Sequence, residues 1–481
     1  MAVQTATVKK FDVKWIHYAI TAIIVFGSQF LPQMGPITPM GGAVLGTFIG
    51  VIYGWTFLDM LWPSIIGLIG LGYAVGMTNV LGASFGSPII PMILMTFATL
   101  TVMTETKLTD VIAKLFVANR FTKGHPWMFV FFFMLGGYFC AQINVFVSMI
   151  LMSSILLDMC KKLGIKPFTP FPAIMLAGLA LSIQMGQIMV PFRGTGITLV
   201  AAYSAMTGGM PNFLQYMAFV IPMGILMLVI YTLICRFVFR VDVEPLKAIN
   251  DETFGPKGKM SRDQKIALFF LFFMMFMLLA TSILPKTWII TIFLTKITMF
   301  GQAAIVILVY MLVKKEDGTK FFNYSYCAAK GVSWDAIFMT AFILPISNFM
   351  TAEGTGIKEG LSMLLAPLTH FSPIIFIVLV MLFAGVVTNI ANNVVLAIVI
   401  LPVVVTFAGQ MGLAPLGVAC ILFIVTQLAL FTPGASVFAG MAFAQADWVK
   451  APMMMKYAAI SVVIMIVLFL AVAIPFSFIV F

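Results

Sequence analysis

The chain has 481 residues, 62% of them hydrophobic and 9% charged, with a mean hydropathy of +1.12. An average soluble domain is about 45–50% apolar and about 25% charged, so the composition excludes a soluble enzyme and a receptor with a large outer domain. It requires an all-α membrane protein of about ten or more helices, each crossing a hydrocarbon layer of about 30 Å. The formal net charge of +11 would suggest nucleic acid in a soluble chain, but here it reports topology, and no nucleic-acid partner is expected.

Lys9, Lys10 and Lys14 precede the first apolar run. No small-residue cleavage site closes that run, so residues 1–35 are read as a retained helix. Lys and Arg are kept on the cytoplasmic side of a membrane. Sorting them along the chain places 23 of the 27 on one face, leaves Lys286, Lys296 and Lys358 on the other, and strands Arg193 inside an apolar stretch. The pattern predicts about eleven spans with the N-terminus cytoplasmic and the C-terminus outside.

A first repeat is expected over 36–240. Within it Thr104-Glu105-Thr106-Lys107 closes a helix and opens a short amphipathic stretch to Leu115. Basic clusters ending at Lys123 and beginning at Lys161 then bracket a segment that starts and ends on one side. As a single helix it would be about 50 Å long, so it is read as a re-entrant hairpin over 126–158, with its tip near Gln142-Ile143-Asn144. The next apolar helix is interrupted by Pro191-Phe192-Arg193-Gly194-Thr195-Gly196. A polar linker at 241–265 precedes a second repeat over 266–481, in which the same parts return: Ala352-Glu353-Gly354 leading to Leu364, a hairpin over 371–408 with Thr388-Asn389-Ile390-Ala391-Asn392-Asn393 at its centre, and a helix broken at Thr432-Pro433-Gly434-Ala435. The second hairpin has no Lys or Arg at either mouth and is expected to open outward. Inverted repeats with paired discontinuous helices are the mark of a secondary transporter with its site at the repeat interface.

Several side chains at the breaks and tips suit such a site. A dehydrated sodium ion needs about five or six oxygens, which tip carbonyls and the side chains of Asn144 and Asn393 can supply; the alternative is an Asn that only joins helices. Arg193 is a buried cation whose partner is an anionic substrate, an acidic side chain, or water reached by snorkelling. Half-helix N-termini after Gly194 and Gly434 would add positive dipole ends. Gln142, Gln184 and Gln187 line the cavity or join helices. Glu105 and Glu353 are read as interfacial caps, the 37 methionines as packing and the five cysteines as buried thiols. His17, His125 and His370 all lie near interfaces, which argues against an intramembrane enzyme.

The tip Asn389-Ile390-Ala391-Asn392-Asn393-Val394 with Pro402 behind it, the break Thr432-Pro433 and the Trp334-led helix resemble the divalent anion/sodium symporter family of the ion transporter superfamily over nearly the full length. In the first half Ile143-Asn144-Val145 and Gly194-Thr195 stand at the matching places, with Val145 and Val394 where the family has threonine. The resemblance implies sodium-coupled symport of a small anion, a di- or tricarboxylate, by an elevator-like motion of a homodimer in the cell (inner) membrane. Together with the residue reading it puts substrate contacts at Asn144, Arg193, Thr195, Asn393, Thr432 and Pro433. Sodium contacts fall at Ile143, Asn144, Gly194, Asn392 and Asn393, and cavity walls at Gln142, Gln184, Gln187 and Asn389. No metal other than sodium is expected. The competing expectation is a cation antiporter or metalloid anion exporter on the same scaffold, which would want a buried carboxylate.

Overall fold

The structure, a computed structural model, describes residues 13–119, 121–249, 260–315, 318–365 and 372–481. Lys9, Lys10, Arg120, Lys257, Lys259, His370 and the first residue of the expected outer hairpin lie outside the described residues. The described chain forms 22 α-helices and no strand.

The first half runs α1 (Lys14–Gly27), α2 (Pro39–Phe57), α3 (Leu61–Val75), α4 (Met77–Ala83), α5 (Ile89–Glu105), α6 (Leu108–Val117), α7 (Pro126–Cys140), α8 (Val145–Lys162), α9 (Pro170–Gln187), α10 (Gly194–Thr207) and α11 (Phe213–Leu233). The second half runs α12 (Arg262–Ile283), α13 (Ile289–Lys296), α14 (Thr298–Leu312), α15 (Tyr324–Gly331), α16 (Trp334–Thr351), α17 (Ile357–Leu365), α18 (Pro373–Val387), α19 (Asn393–Gln410), α20 (Pro415–Thr426), α21 (Val437–Phe443) and α22 (Ala451–Val480). Five of these regions are long and apolar enough to cross a membrane unaided: Pro39–Phe57, Phe213–Val238, Arg262–Ile283, Asn393–Gln410 and Ala451–Val480. Counting each broken helix once, setting the two hairpins apart and leaving aside the separate helices of ten residues or fewer (α4, α6, α13, α15 and α17), eleven segments follow one another: α1, α2, α3, α5, α9 with α10, α11, α12, α14, α16, α20 with α21, and α22.

Local chemistry explains where the helices begin. Proline stands in the first turn of α2, α7, α9, α18, α20 and α22, where its missing N–H costs nothing. Asn144, Asn212, Asn323 and Asn392 cap α8, α11, α15 and α19, and Ser261 forms a capping box with Gln264 at the start of α12.

The chain divides into two compact units, 1–84 with 334–360, and 85–333 with 361–481. In the first, Trp55 Nε1 donates to Ser64 Oγ at 2.9 Å and its ring meets Phe342 edge-on, while Thr38 Oγ1 donates to the Gly354 carbonyl at 2.8 Å. The second holds both hairpins and both broken helices. There α7 and α8 are joined by a tip at 141–144, and α18 and α19 by a tip at 388–392. The face of α9 that meets α7 carries Gly178, Ser182 and Gly186 at four-residue intervals. A Cβ on Gly178 would lie 2.6 Å from the Tyr231 ring and 2.9 Å from Met134 Sδ, and one on Gly186 would lie 2.7 Å from Ala141 Cβ and run into the Tyr138 carbonyl oxygen. Such small residues let two helices approach without a hydrophobic driving force.

Both broken helices stop before their proline. α9 ends at Gln187, four residues ahead of Pro191, and α20 ends at Thr426, ahead of Thr432-Pro433. The second half-helix, α21, starts at Val437 and not directly after Gly434, with Ser436 Oγ accepting from the Ala439 amide at 3.1 Å. At 7 residues it is too short to carry much of a helix dipole.

Candidate functional site

The second tip and the second break are joined by a dense set of hydrogen bonds. Asn389 Oδ1 accepts from the amides of Leu430 at 2.9 Å and Phe431 at 2.8 Å, and its Nδ2 donates to the Gly385 carbonyl at 2.8 Å. Thr432 Oγ1 donates to the Asn389 carbonyl and Thr388 Oγ1 to the Thr426 carbonyl, each at 2.7 Å. These side chains replace the helical partners that the backbone of 427–432 gives up, so the break is stable although no proline or glycine begins it. Asn389, expected on a cavity wall, is 4% exposed and spends all its polar atoms on this staple.

Beside the staple lies a chain of amides contributed by both halves. Asn393 Nδ2 donates to Gln427 Oε1 at 3.0 Å and to Gln184 Oε1 at 3.3 Å. Gln187 Nε2 donates to the same Gln427 oxygen at 2.9 Å, and Thr195 Oγ1 donates to Gln187 Oε1 at 2.7 Å. Two backbone carbonyls anchor the outer ends: Gln427 Nε2 donates to Phe423 O at 3.3 Å and Gln184 Nε2 to Ala429 O at 3.2 Å. Gln184, Gln187, Asn393 and Gln427 are all buried. The structure thus brings Gln184, Gln187, Thr195 and Asn393 together.

The first tip is held differently. Gln142 Nε2 donates to the Gly186 carbonyl, and its Oε1 is buried with no partner among the described residues. Ile143 is buried. Asn144 Oδ1 caps α8, accepting from Phe146 and Val147 amides at 3.1 Å each, and Asn392 Oδ1 does the same for Val394 at 3.1 Å and Val395 at 3.2 Å. No described contact joins Asn144 to the amide chain. Gly194 opens α10 with φ +53°, its α-carbon against the Gln187 carbonyl so that a Cβ would lie 2.8 Å from that oxygen. Gly194, Pro433 and Gly434 are exposed, and Thr195 and Thr432 half-buried.

Arg193 is the N-cap residue of α10 and is 6% exposed. The one contact described for its guanidinium is Met103 Sδ at 3.8 Å, on α5, and no carboxylate among the described residues lies within ion-pair distance. Its backbone therefore borders the site while its side chain leaves toward α5. Glu105, at the end of α5, accepts from Tyr326 Oη at 2.6 Å and pairs with Lys330 at 3.4 Å. All five cysteines are free and buried. No group of three or more His, Cys, Asp or Glu among the described residues is placed to hold a metal.

A crevice of about 350 Å³ runs along α8 past Met149, Ser153, Leu157, Asp158 and Lys161, with Gln445, Asp447 and Trp448 opposite. Its inner end at Met149 is about one helical turn from the first tip.

Gln427, the acceptor shared by both halves, is absent from the residues singled out in the sequence. The signal that could have found it is the repeat itself, since a glutamine closes each broken helix, Gln187 the first and Gln427 the second.

The model of the CitMHS citrate transporter family matches residues 48–422. Among solved structures, the fold is similar to that of the YdaH transporter of Alcanivorax borkumensis, with a TM-score of 0.53 at 14% identity, covering 84% of this chain and 88% of that one. At that identity the likeness is one of fold. No curated protein sequence matches.

Proposed function

We propose that this chain, which belongs to the CitMHS citrate transporter family, carries citrate or a close di- or tricarboxylate in symport with sodium, by an elevator-like movement of its hairpin-bearing part. It is a multi-pass membrane transporter and not an enzyme. The observation that carries the reading is the tip-and-break cluster: an array of neutral amides and hydroxyls at Gln184, Gln187, Thr195, Asn393 and Gln427, with no carboxylate from the described residues among its hydrogen bonds. A neutral polar site suits a cation and an anion that arrive together, because their charges offset each other and the protein need not keep a bare charge in a low-dielectric interior. A cation antiporter needs a buried carboxylate to exchange its ion, and the cluster offers none.

Sodium is assigned to Asn393 with tip and break backbone carbonyls, and the substrate to Asn144, Thr195 and the exposed rim at Thr432 and Pro433. Arg193 is assigned the negative charge that sodium leaves on the anion, which its guanidinium, directed toward Met103 on α5, reaches only by a change of rotamer. The protein is assigned to the cell (inner) membrane as a homodimer with its N-terminus inside, so that the crevice along α8 opens to the cytoplasm beside Lys161. Uptake of labelled citrate, succinate and sulfate into proteoliposomes, with sodium and proton gradients imposed separately, tests this. Citrate accumulation driven by sodium alone is expected; accumulation driven by protons alone would overturn the coupling. In the same vesicles, an impermeant thiol reagent should reach Phe146→Cys and Ile390→Cys from opposite sides, because both positions are exposed, at 52% and 75%, and the native thiols are buried. Labelling from one side would refute the orientation of the hairpins.

A further inference from the structure

An asparagine amide has two unlike ends, an oxygen that accepts and an NH2 that donates. Which end a protein consumes decides what the other end can bind. Around the two tips this choice is fixed by backbone groups whose polarity is unambiguous. The Phe423 carbonyl can only accept, so the NH2 of Gln427 must face it; the Ala429 carbonyl imposes the same orientation on Gln184. Both glutamine oxygens then turn toward Asn393, which donates to them at 3.0 and 3.3 Å, and Gln187 adds a second donor to the Gln427 oxygen at 2.9 Å. The NH2 of Asn393 is spent, and no described residue donates to its Oδ1.

At Asn144 and Asn392 the opposite end is consumed. Each oxygen accepts from two backbone amides, at 3.1 Å and 3.1 Å for Asn144 and at 3.1 Å and 3.2 Å for Asn392. A backbone N–H can only donate, so neither side chain can be turned over without losing the cap. Both residues are half-buried, and neither NH2 donates to a described residue.

From this we infer that hydrogen bonding sorts the tip asparagines by polarity: Gln184 and Gln427 position Asn393 to offer an oxygen to a cation, while the caps leave Asn144 and Asn392 to offer N–H donors to a carboxylate. The inference rests on the sodium–carboxylate reading and divides its ligands. Asn144, assigned to both ligands by sequence, keeps only the anion, and Asn392, assigned to sodium, moves to it. Gln184 and Gln427 become positioning residues that touch neither ligand.

Replacing Asn by Asp tests the sorting, since it removes only the NH2. Aspartate caps a helix about as well as asparagine, so Asn144→Asp and Asn392→Asp keep their helices while a donor becomes an acceptor facing the substrate. Their KM for citrate should rise about tenfold or more, and more than their half-saturating sodium concentration does. In Asn393→Asp the introduced carboxyl faces two glutamine oxygens and fits only while it holds a proton. The variant's thermal stability should therefore fall as pH rises from about 5 to 8, by up to about tenfold in the folding constant per pH unit, relative to the wild type. Should Asn393→Asp fail to fold, Gln427→Leu removes one acceptor and should raise half-saturating sodium about tenfold while raising the KM for citrate less. Equal shifts in the citrate and sodium constants of all three aspartate variants, with no added pH dependence, would overturn the sorting. A wild type indifferent to sodium would instead defeat the coupling and leave the citrate and pH results to decide the sorting.

Discussion

Arg193 carries the largest energetic question of any single residue here. A guanidinium 6% exposed in a membrane protein, whose one contact among the described residues is a thioether sulfur at 3.8 Å, finds among them no counter-charge to offset several kcal/mol of lost hydration. If the transported anion supplies that charge, Arg193→Ala leaves the empty protein as stable as before or more so, and abolishes the stabilisation that citrate gives the wild type, about 2.7 kcal/mol at a hundred times Kd. Thermal unfolding of both proteins with and without citrate checks this; a destabilised variant that still responds to citrate would defeat it. The isolation of Arg193 was legible in the sequence because a lone cation in an apolar run needs no structure to be noticed, and the tip asparagines stood out for the same reason. Gln427 did not stand out. The local sequence puts the helix break at Pro433, whereas the helix stops at Thr426 because Thr388 and Asn389, some 40 positions earlier, take over its backbone groups. No periodicity of residues 415–436 records a partner that comes from another element.

At the scale of elements, α7 and α9 depend on what they lack. Gly178, Ser182 and Gly186 leave room for Met134, Tyr138 and Ala141, and the contact at Gly186 sets the position of the first tip through the bond from Gln142. Gly186→Ala forces the helices apart where backbone lies opposite backbone, and overpacking of this kind costs about 1–3 kcal/mol. A lowered unfolding temperature together with weaker citrate uptake is expected, whereas Gly209→Ala, in open space, should change neither. An unaltered Gly186→Ala would mean that the tip is not located by this contact. The first hairpin was legible from charge, because basic clusters on either side of 126–158 leave no other path for the chain; the second, with no Lys or Arg at its mouths, was legible from its amide-rich centre and the repeated order of parts. Their bonding to the broken helices was not, since hydrogen bonds across the fold leave no mark on charge or hydropathy.

Across the whole molecule the two repeats match in order but differ in how their tips are fastened. The second tip is tied to α20 and its break by Thr388, Asn389, Thr432 and Asn393, whereas Gln142 alone among the described side chains ties the first tip to α9. Local opening free energies follow such differences in tertiary bonding. Amides at 141–147 should exchange with deuterium faster than those at 389–395, by about tenfold for each 1.4 kcal/mol of difference, and equal protection would contradict the comparison. Seen as a mechanism in the engineer's sense, the protein has one door on a stiff frame and one on a loose latch. If the hairpins serve as the two gates, the loosely latched one opens at lower cost than the stiff one, so release on its side should be the faster half of the cycle, while the final distribution of cargo is still set by the gradients alone.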